Sequence, residues 1–257
     1  MRKPTLSPTK INTYLTCKVK YYWSYLSPYR KLRRPNPMMA FGANLHRVLQ
    51  AFHEHGGAQH LSPQQTQHLL EQLWNDSIFP NSELSQHHKQ VGQTLLQQYH
   101  QLQSAQAEHA RTLFTERLLR KDLGEFVLIG RLDRVDEYPD GTLEIVDYKS
   151  GRIHLTPEQV ESDLALHCYA LLLRALYPER PLCTALYALQ IHQKISLPVE
   201  PHALDAFEAS IRQLGIQILN EDYSHLTPEP FHACVECDFL PLCKKHFWST
   251  GDTADTL

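Results

Sequence analysis

Residues 130–151 read GRLDRVDEYPDGTLEIVDYKSG, and this stretch decides the fold. Apolar and polar residues alternate on both sides of its centre, which predicts one strand over 126–136 and another over 142–149. The proline, aspartate and glycine at 139–141 suit a turn, because proline fixes φ, aspartate caps and glycine takes the left-handed conformation. The sequence therefore predicts a β-hairpin, around which the rest of an α/β fold is arranged.

The turn type fixes which side chains of the hairpin face each other. A type I turn with a glycine bulge pairs Tyr138 with Thr142, and counting back along both strands sets Asp133 opposite Asp147. Their Cβ atoms are then roughly 5 Å apart on one face. Lys149 shares that face with Asp147, because side chains alternate along a strand. The hairpin thus predicts two carboxylates and an amine in one place.

Two facing carboxylates repel each other unless a cation compensates their charge. A hard divalent cation such as Mg²⁺ or Mn²⁺ takes oxygen ligands, and it makes water a better nucleophile toward phosphate. Lys149 could then orient that water or stabilise transition-state charge. An ordinary Asp–Lys ion pair is the alternative, since Asp136 and Glu144 also face each other in this register. The hairpin alone slightly favours the ordinary ion pair.

Helical patterns surround the hairpin. Gly42 precedes an apolar stripe at helical spacing, with His46 at its edge. The other predicted elements are a helix over 7–25 with Cys17 inside it, helices within 59–110, a helix over 156–177, strands over 183–191 and 195–199, and a helix from Pro201.

Cysteines at the two ends of the chain form a pattern of their own. Three of them read C-x2-C-x5-C near the C-terminus and a fourth lies near the N-terminus: Cys234, Cys237, Cys243 and Cys17. Thiolates in such a group bind zinc or an iron–sulfur cluster. Cys168 and Cys183 lie in apolar segments, so we expect both to be core residues.

Composition restricts the class of protein. The chain has 257 residues and 42% of them are hydrophobic, enough for a sizeable core. It contains no apolar run long enough for a transmembrane helix, and we expect no signal peptide, because the first residues lack an apolar h-region. We expect a cytoplasmic protein with no membrane partner, where the six cysteines are free or bound to metal.

Charge is distributed unevenly along the chain. Residues 1–53 contain ten Lys or Arg and no acid before Glu54. Aromatic residues are interleaved with these charges: Tyr14, Tyr21, Tyr22, Trp23, Tyr25 and Tyr29. Basic groups with stacking aromatics suit single-stranded nucleic acid. A helix with a solvated basic face and an aromatic core face is the alternative.

The order of these features resembles the PD-(D/E)XK nuclease superfamily. Gly42-x3-His46, then Asp133, then Asp147-x-Lys149, with the four cysteines around them, is most similar to RecB-family exonucleases that carry an iron–sulfur cluster. Those include the AddB nuclease domain and small CRISPR-associated RecB-like nucleases. The resemblance runs from Cys17 to Cys243.

The resemblance implies a restriction-endonuclease-like α/β core with a mixed central sheet flanked by helices. It also implies a helical N-terminal region and a C-terminal cysteine-rich cluster segment. We expect a single nuclease domain followed by a polar tail. Its expected parts are a basic aromatic arm (1–35), a helical region (41–110), a nuclease core (111–200), a helix with the cluster segment (201–247), and the tail (248–257).

The resemblance also implies roles for individual residues. His46, Asp133 and Asp147 would bind Mg²⁺ or Mn²⁺ together with the backbone carbonyl of Tyr148, and Lys149 would be the catalytic lysine. A [4Fe–4S] cluster would be held by the four end cysteines: Cys17, Cys234, Cys237 and Cys243. Zinc bound to the same four thiolates is the competing interpretation.

Two further positions bear on the resemblance. Glu116 matches an acidic position common just before the core strands, where a plain ion pair is favoured over metal support. The family has a glutamine and a tyrosine in the helix after the D-x-K motif. Here Tyr169 fits, but Ala165 stands in place of the glutamine.

The expected function is that of a metal-dependent exonuclease on single-stranded DNA ends, in repair, recombination or CRISPR adaptation. No phosphate-binding G-x4-G-K-[ST] motif is present, so unwinding would need a helicase partner, and a CRISPR adaptation protein is the other expected partner. Two alternatives are a non-catalytic iron–sulfur module that binds single strands and a zinc-stabilised interaction protein.

Overall fold

A computed structural model describes residues 3–32, 36–106 and 110–248 of the chain. The main helices are α1 (Pro8–Thr16), α2 (Lys18–Tyr21), α3 (Pro37–Glu54), α4 (Pro63–Leu73), α5 (Ser82–Gln106), α6 (Pro157–Ser162), α7 (Leu164–Leu176), α8 (Pro201–Asn220) and α9 (Leu240–His246). The strands are β1 (Thr5–Leu6), β2 (Arg111–Asp122), β3 (Val127–Glu137), β4 (Leu143–Lys149), β5 (Leu182–Ala188) and β6 (Gln193–Pro198).

Some of the predicted features fall outside the described ranges. Arg2, Arg33 and Arg34 of the basic arm do so, as does the predicted polar tail apart from Trp248. None of the described helices is long and apolar enough to cross a membrane.

All six strands belong to one mixed sheet. β2 pairs antiparallel along the length of β3, so β1 and β4 share the other edge of β3. β4 then pairs parallel with β5, and β5 pairs antiparallel with β6. The helices lie on both sides of this sheet, so the predicted α/β class with a mixed central sheet is confirmed.

The hairpin at the centre of the sheet forms in the predicted register. Gly141 has φ 90° and its N–H donates to the Tyr138 carbonyl at 2.9 Å. The Tyr138 N–H donates to the Thr142 carbonyl at 2.9 Å, and Asp136 pairs with Glu144 as predicted. The local turn chemistry therefore sets the register of the two strands that carry the predicted site.

β4 runs through the middle of the protein and is covered on both faces. Leu143 and Ile145 belong to a core shared with α7 and α8, whereas Val146 and Tyr148 belong to a core shared with α3 and α5. Strands buried on both faces are typical where helices cover both sides of a sheet. The functional residues of this strand are thus held in a rigid layer.

The predicted helix over 7–25 is wrong at Cys17. The backbone of Cys17 is extended (φ −161°, ψ 113°), so it ends α1 and caps α2, and its Sγ accepts the Lys20 N–H at 3.4 Å. After α2 the chain continues in a π-helical turn over Tyr22–Leu26. A residue with this backbone cannot lie inside an α-helix.

The aromatic residues of the arm are mainly core residues. Tyr14, Tyr21 and Trp23 are buried, and Tyr29 alone of the six predicted stacking residues is exposed. The structure therefore favours the alternative interpretation, in which the aromatic side chains form a core face and the basic side chains face solvent.

The predicted helix over 156–177 is also divided in two. Asp163 ends α6 and caps α7, and its Oδ1 accepts the Leu166 N–H at 3.0 Å. Aspartate is a strong N-cap residue because its carboxylate satisfies an amide that has no partner within the helix. The break leaves the second carboxylate oxygen of Asp163 free to reach the site described next.

Candidate functional site

Three side chains from separate elements meet at one point, which we call the acidic centre: His46, Glu116 and Asp133. His46 Nδ1 lies 3.3 Å from Asp133 Oδ1 and 3.5 Å from Glu116 Oε1. One ligand atom from each residue lies within 4.8 Å of the other two. Carboxylate oxygens with one imidazole nitrogen are donors suited to a divalent cation such as Mn²⁺.

Helix α3 carries His46 into this centre. Asn36 caps the helix by accepting the amides of Met38 and Met39, and Pro37 occupies its first turn. Its apolar stripe is fully buried, and His46 lies beside that stripe, partly exposed. Burial of the stripe therefore fixes the rotation of α3 and so the direction of the histidine.

Asp133 lies where β3 and β4 part. Pairing between these strands ends at Arg134 and Val146, and beyond it Asp133 Oδ2 accepts the Tyr148 N–H at 2.9 Å. The carboxylate thus takes the place of a carbonyl in the ladder. This bond holds Asp133 close to Asp147, as the register predicted.

Glu116 has an unusual backbone. Its φ of 46° lies in the left-handed region, which costs a non-glycine residue about 1–3 kcal/mol. The neighbouring pairs Thr115–Arg134 and Arg117–Leu132 place it beside Asp133. The two oxygens of Glu116 have different neighbours: Oε1 faces His46 in the acidic centre, and Oε2 lies 4.0 Å from Arg131. Glu116 therefore takes part in an ion pair, as favoured from sequence, and also faces the acidic centre.

The charges of the acidic centre are balanced by the histidine. Burial alone would lower the pKa of His46, but hydrogen bonds and charge from Asp133 and Glu116 raise it to about 10. The imidazolium therefore occupies the position that a cation could take. Binding of a divalent cation there would release this proton.

Lys149 lies beside this centre between two carboxylates. Its Nζ is 2.9 Å from Asp147 Oδ2 and 3.4 Å from Asp163 Oδ2. Burial opposes its charge, yet these carboxylates raise the pKa of Lys149 to about 12. Burial and the charge of Asp133 raise the pKa of Asp147 to about 6, against the opposing effect of Lys149. The sequence did not predict a role for Asp163. The only sequence signal for it is its position as a helix-capping residue at the start of α7.

Tyr169 approaches the same region from α7. A Cβ atom on Gly130 would lie 3.0 Å from the Tyr169 ring, so the glycine permits this close packing. Burial and the charges of Asp147 and Asp133 raise the pKa of the Tyr169 hydroxyl. Ala165, which stands where the resembling family has glutamine, lies one turn earlier on the same helix.

The cysteines from the two ends of the chain also come together. Four of them line one small cavity, together with Trp23 and Phe239: Cys17, Cys234, Cys237 and Cys243. Burial and the neighbouring cysteines raise the pKa of the Cys243 thiol to about 12. Cys168 is buried in the core, as predicted, whereas Cys183 is only half-buried and is not a core residue.

The spacing of the four thiols bears on what they could hold. Sulfur ligands on one tetrahedral zinc ion lie roughly 3.8 Å apart, given a Zn–S distance of about 2.3 Å. Within the described parts of the chain, only the acidic centre brings three ligand atoms within 4.8 Å of one another. No three of the described thiols therefore lie within 4.8 Å of one another.

A family model for the PD-(D/E)XK nuclease superfamily matches residues 5–244. The chain belongs to this superfamily. Membership implies a metal-dependent nuclease, that is, a phosphodiester hydrolase. In this PD-(D/E)XK chain, the hairpin brings together Asp133, Asp147 and Lys149, the three residues assigned to the motif from sequence.

Solved structures with a similar course of the chain are distant in sequence. A protein described as a putative exonuclease from Eubacterium rectale is 9% identical, with 90% of this chain and 92% of that chain covered and a TM-score of 0.49. The protein SSO0001 is 14% identical, with coverage of 91% and 95% and a TM-score of 0.38. None of the curated proteins matches the chain.

Proposed function

We propose that this PD-(D/E)XK protein is a Mg²⁺- or Mn²⁺-dependent exonuclease that acts on single-stranded DNA ends. The observation that carries the proposal is the acidic centre with Lys149 next to it. Three nitrogen and oxygen donors converge within 4.8 Å, and on the adjoining strand β4 the half-buried ammonium of Lys149 lies 2.9 Å from Asp147. In this proposal residues 1–247 act as one nuclease unit.

In the proposed site, His46, Asp133 and Asp147 hold the cation together with the carbonyl oxygen of Tyr148. We add Glu116 to this set, because its carboxylate lies against His46. A bound divalent cation supplies charge neutralisation at the phosphate and a better water nucleophile. The protein's own part is to fix the donors and to keep Lys149 beside them.

The role of Lys149 follows from its charge. Because two carboxylates hold its pKa near 12, the amine is protonated at neutral pH and cannot act as a base. It therefore stabilises negative charge that develops on the phosphate, or donates a hydrogen bond to the attacking water. Asp163 holds its ammonium from the second side.

Nucleic acid as the substrate is supported by exposed arginines on the elements that carry the acidic centre, of which Arg131 lies 4.0 Å from Glu116. Arg47 follows His46 on α3, and Arg117 and Arg131 lie on the two strands that carry Glu116 and Asp133. All three arginines are exposed. Lys and Arg near a cleavage centre bind phosphates irrespective of sequence, which suits an enzyme that degrades strands from an end.

For the four end cysteines we propose a [4Fe–4S] cluster with a structural role. The four cysteines line one cavity, and the resemblance to cluster-bearing RecB-family exonucleases favours iron–sulfur over zinc. The cluster would tie the N-terminal segment at Cys17 to the segment 234–243. A role in repair, recombination or CRISPR adaptation, beside a helicase or an adaptation protein, follows from the same resemblance.

Cleavage of end-labelled single-stranded DNA tests the proposal. Anaerobically purified full-length protein is incubated with Mn²⁺, beside Asp147→Ala and the control Asp205→Ala, which removes an exposed carboxylate on α8. We expect cutting by the wild type and the control only, with products that shorten progressively from one end. Equal cutting by Asp147→Ala would contradict the site.

The same experiment separates the runner-up function. Folded, iron-loaded protein that binds the strand but cuts nothing with Mn²⁺ or Mg²⁺ would identify a non-catalytic binding module. The absence of glutamine at position 165 is the observation that favours this second function. Metal analysis that finds zinc without iron or sulfide would replace the cluster in the proposal by a zinc site.

A further inference from the structure

Arg134 follows Asp133 in β3 and takes part in a separate, buried arrangement. Only 3% of the residue is exposed. The two N–H groups of its Nη1 face three acceptors: the Tyr99 hydroxyl at 2.6 Å, the Tyr148 hydroxyl at 2.7 Å and His53 Nε2 at 2.7 Å. Neither Tyr99 nor His53 drew attention in the sequence, because both lie in ordinary helical patterns.

The arrangement closes into a ring of polar side chains. Because Arg134 donates to Nε2 of His53, the ring proton of this histidine lies on Nδ1, which faces Thr112 Oγ1 at 3.1 Å. The Thr112 hydroxyl then donates to Asp136 Oδ1 at 3.1 Å, and Asp136 Oδ2 lies 3.0 Å from Arg134 Nε. One guanidinium and one carboxylate balance each other, and burial together with Arg134 lowers the pKa of His53 so that it stays neutral.

We call this set the buried network: His53, Tyr99, Thr112, Arg134, Asp136 and Tyr148. It joins the same elements that carry the proposed metal ligands. On α3, His53 lies seven residues after His46, about 10.5 Å along the helix axis. On β2, Thr112 precedes Glu116 by four residues.

The link is most direct at β3 and β4. Tyr148 donates its backbone N–H to Asp133 and receives an N–H of Arg134 at its hydroxyl, so one residue touches both the acidic centre and the buried network. The Tyr148 ring also lies edge-on to the His46 ring, with centroids 5.8 Å apart. Tyr148 thus connects the buried network to the acidic centre through hydrogen bonds and through its ring contact with His46.

We propose that the buried network positions the metal ligands and thereby sets the affinity of the acidic centre for its divalent cation. The inference rests on the proposed function. Apolar contacts hold α3 against the sheet but do not fix its position along the sheet, because they are non-directional. Hydrogen bonds from Arg134 to His53 and Tyr148 are directional, so they fix how far His46 stands from Asp133. Loss of such partners behind metal ligands weakens binding in other metalloproteins.

Two substitutions of His53 separate positioning from folding. His53→Leu removes the acceptor for Arg134, whereas His53→Gln keeps an oxygen acceptor near the place of Nε2. Gln50→Ala is the matched control on α3, since Gln50 donates to Glu54 and is not a member of the buried network. Leu204→Ala, a buried residue of the opposite core, lowers stability without touching the network.

The measurement is calorimetric titration of the full-length, cysteine-site-loaded proteins with Mn²⁺, beside their melting temperatures. We expect His53→Leu to weaken Mn²⁺ binding by about 10-fold or more. His53→Gln should recover most of the loss, and Gln50→Ala should match the wild type. Leu204→Ala should melt earlier yet bind Mn²⁺ as the wild type does. The metal dependence of cleavage should shift with the binding constant.

The titration has two kinds of result that would overturn the inference. Wild-type affinity in His53→Leu overturns the inference, as does an equal loss in Leu204→Ala, which would make the effect one of general stability. His46→Ala identifies the centre: it should abolish the binding seen in the wild type. Absence of Mn²⁺ binding by the wild type would overturn the proposed metal site itself, a different failure from an unchanged His53→Leu.

Discussion

The acidic centre and the cysteine cavity are built in opposite ways. The donors of the acidic centre already lie within 4.8 Å of one another, on a sheet strand, a neighbouring strand and a long helix. The cysteines line their cavity from an extended residue between two short helices and from a segment with one short helix. A small satellite core of Val19, Trp23 and Phe239 supports them.

This difference indicates which part of the protein is organised by the polypeptide itself. Hydrogen bonds and a strained backbone fix the acidic centre before any ion binds. The cysteine region has only a small core of its own, so we expect its stability to depend on the cluster proposed for its thiols. We therefore expect substitutions at the first site to change chemistry and substitutions at the second to change stability.

Lys149→Ala should have the largest effect, and only on chemistry. Loss of an ammonium beside the phosphate should reduce cleavage by at least about 100-fold, while binding of single-stranded DNA largely survives. Rates and binding are measured on end-labelled DNA with Mn²⁺. Lys3→Ala, which removes an exposed lysine paired with Asp122, is the control and should cut normally. Undiminished cleavage by Lys149→Ala would contradict the proposed role of Lys149 in the cleavage step.

Cys17→Ala, unlike Lys149→Ala, should lower stability and leave the acidic centre unchanged. Cluster loss should remove iron from the purified protein and lower the Tm by about 10 °C, because a cross-link that closes most of the chain contributes roughly 4 kcal/mol. Mn²⁺ affinity of the remaining folded protein should stay unchanged. Cys183→Ala is the matched control, as this cysteine lies in β5 away from the cavity.

The iron content of purified Cys17→Ala and its melting temperature test this prediction. Full iron with a normal melting curve would remove Cys17 from the ligand set. A loss of Mn²⁺ affinity in Cys17→Ala would break the comparison, because it would show that the two centres depend on each other.

Glu116→Gln should have an intermediate effect. The substitution keeps the size of the side chain but removes one negative charge from the acidic centre. The Mn²⁺ concentration needed for half-maximal cleavage should rise about 10-fold, with Glu71→Gln, a surface residue paired with Lys89, as the control. An unchanged metal dependence would show that Glu116 does not support the metal and forms only the ion pair favoured from sequence.

Asp163→Asn should have the smallest effect. Asparagine caps helices as well as aspartate does, so α7 keeps its start while Lys149 loses one of its two carboxylate partners. Cleavage should fall by less than about tenfold, in line with roughly 1 kcal/mol for a partly exposed pair. Cleavage kinetics beside Asp205→Asn check this, and a loss as large as that of Lys149→Ala would give Asp163 a more direct role.

The sequence predicted those features that local chemistry determines. The proline, aspartate and glycine at 139–141 set the hairpin register, and with it the approach of Asp133 to Asp147. The D-x-K spacing placed Lys149 beside Asp147. Each of these contacts depends on residues close in the chain or joined by one tight turn.

The remaining features depend on contacts between distant segments, for which a single sequence carries no local signal. The left-handed backbone of Glu116 has no glycine or asparagine to indicate it. His53 reads as one more residue of α3 until Arg134, far along the chain, is packed against it. The break at Cys17 follows a helical pattern that continues on both sides.

The pairing of Cys17 with segment 234–243 has a consequence for biosynthesis. Ribosomes release roughly 5–20 residues per second, so Cys17 waits on the order of 10 to 45 s before its last partner emerges. The hairpin and α3 are complete much earlier, well before α9 is made. If the four cysteines hold the proposed cluster, the cavity can be loaded only after segment 234–243 has been made, so a shortage of iron or sulfide would leave Cys17 and that segment without their link.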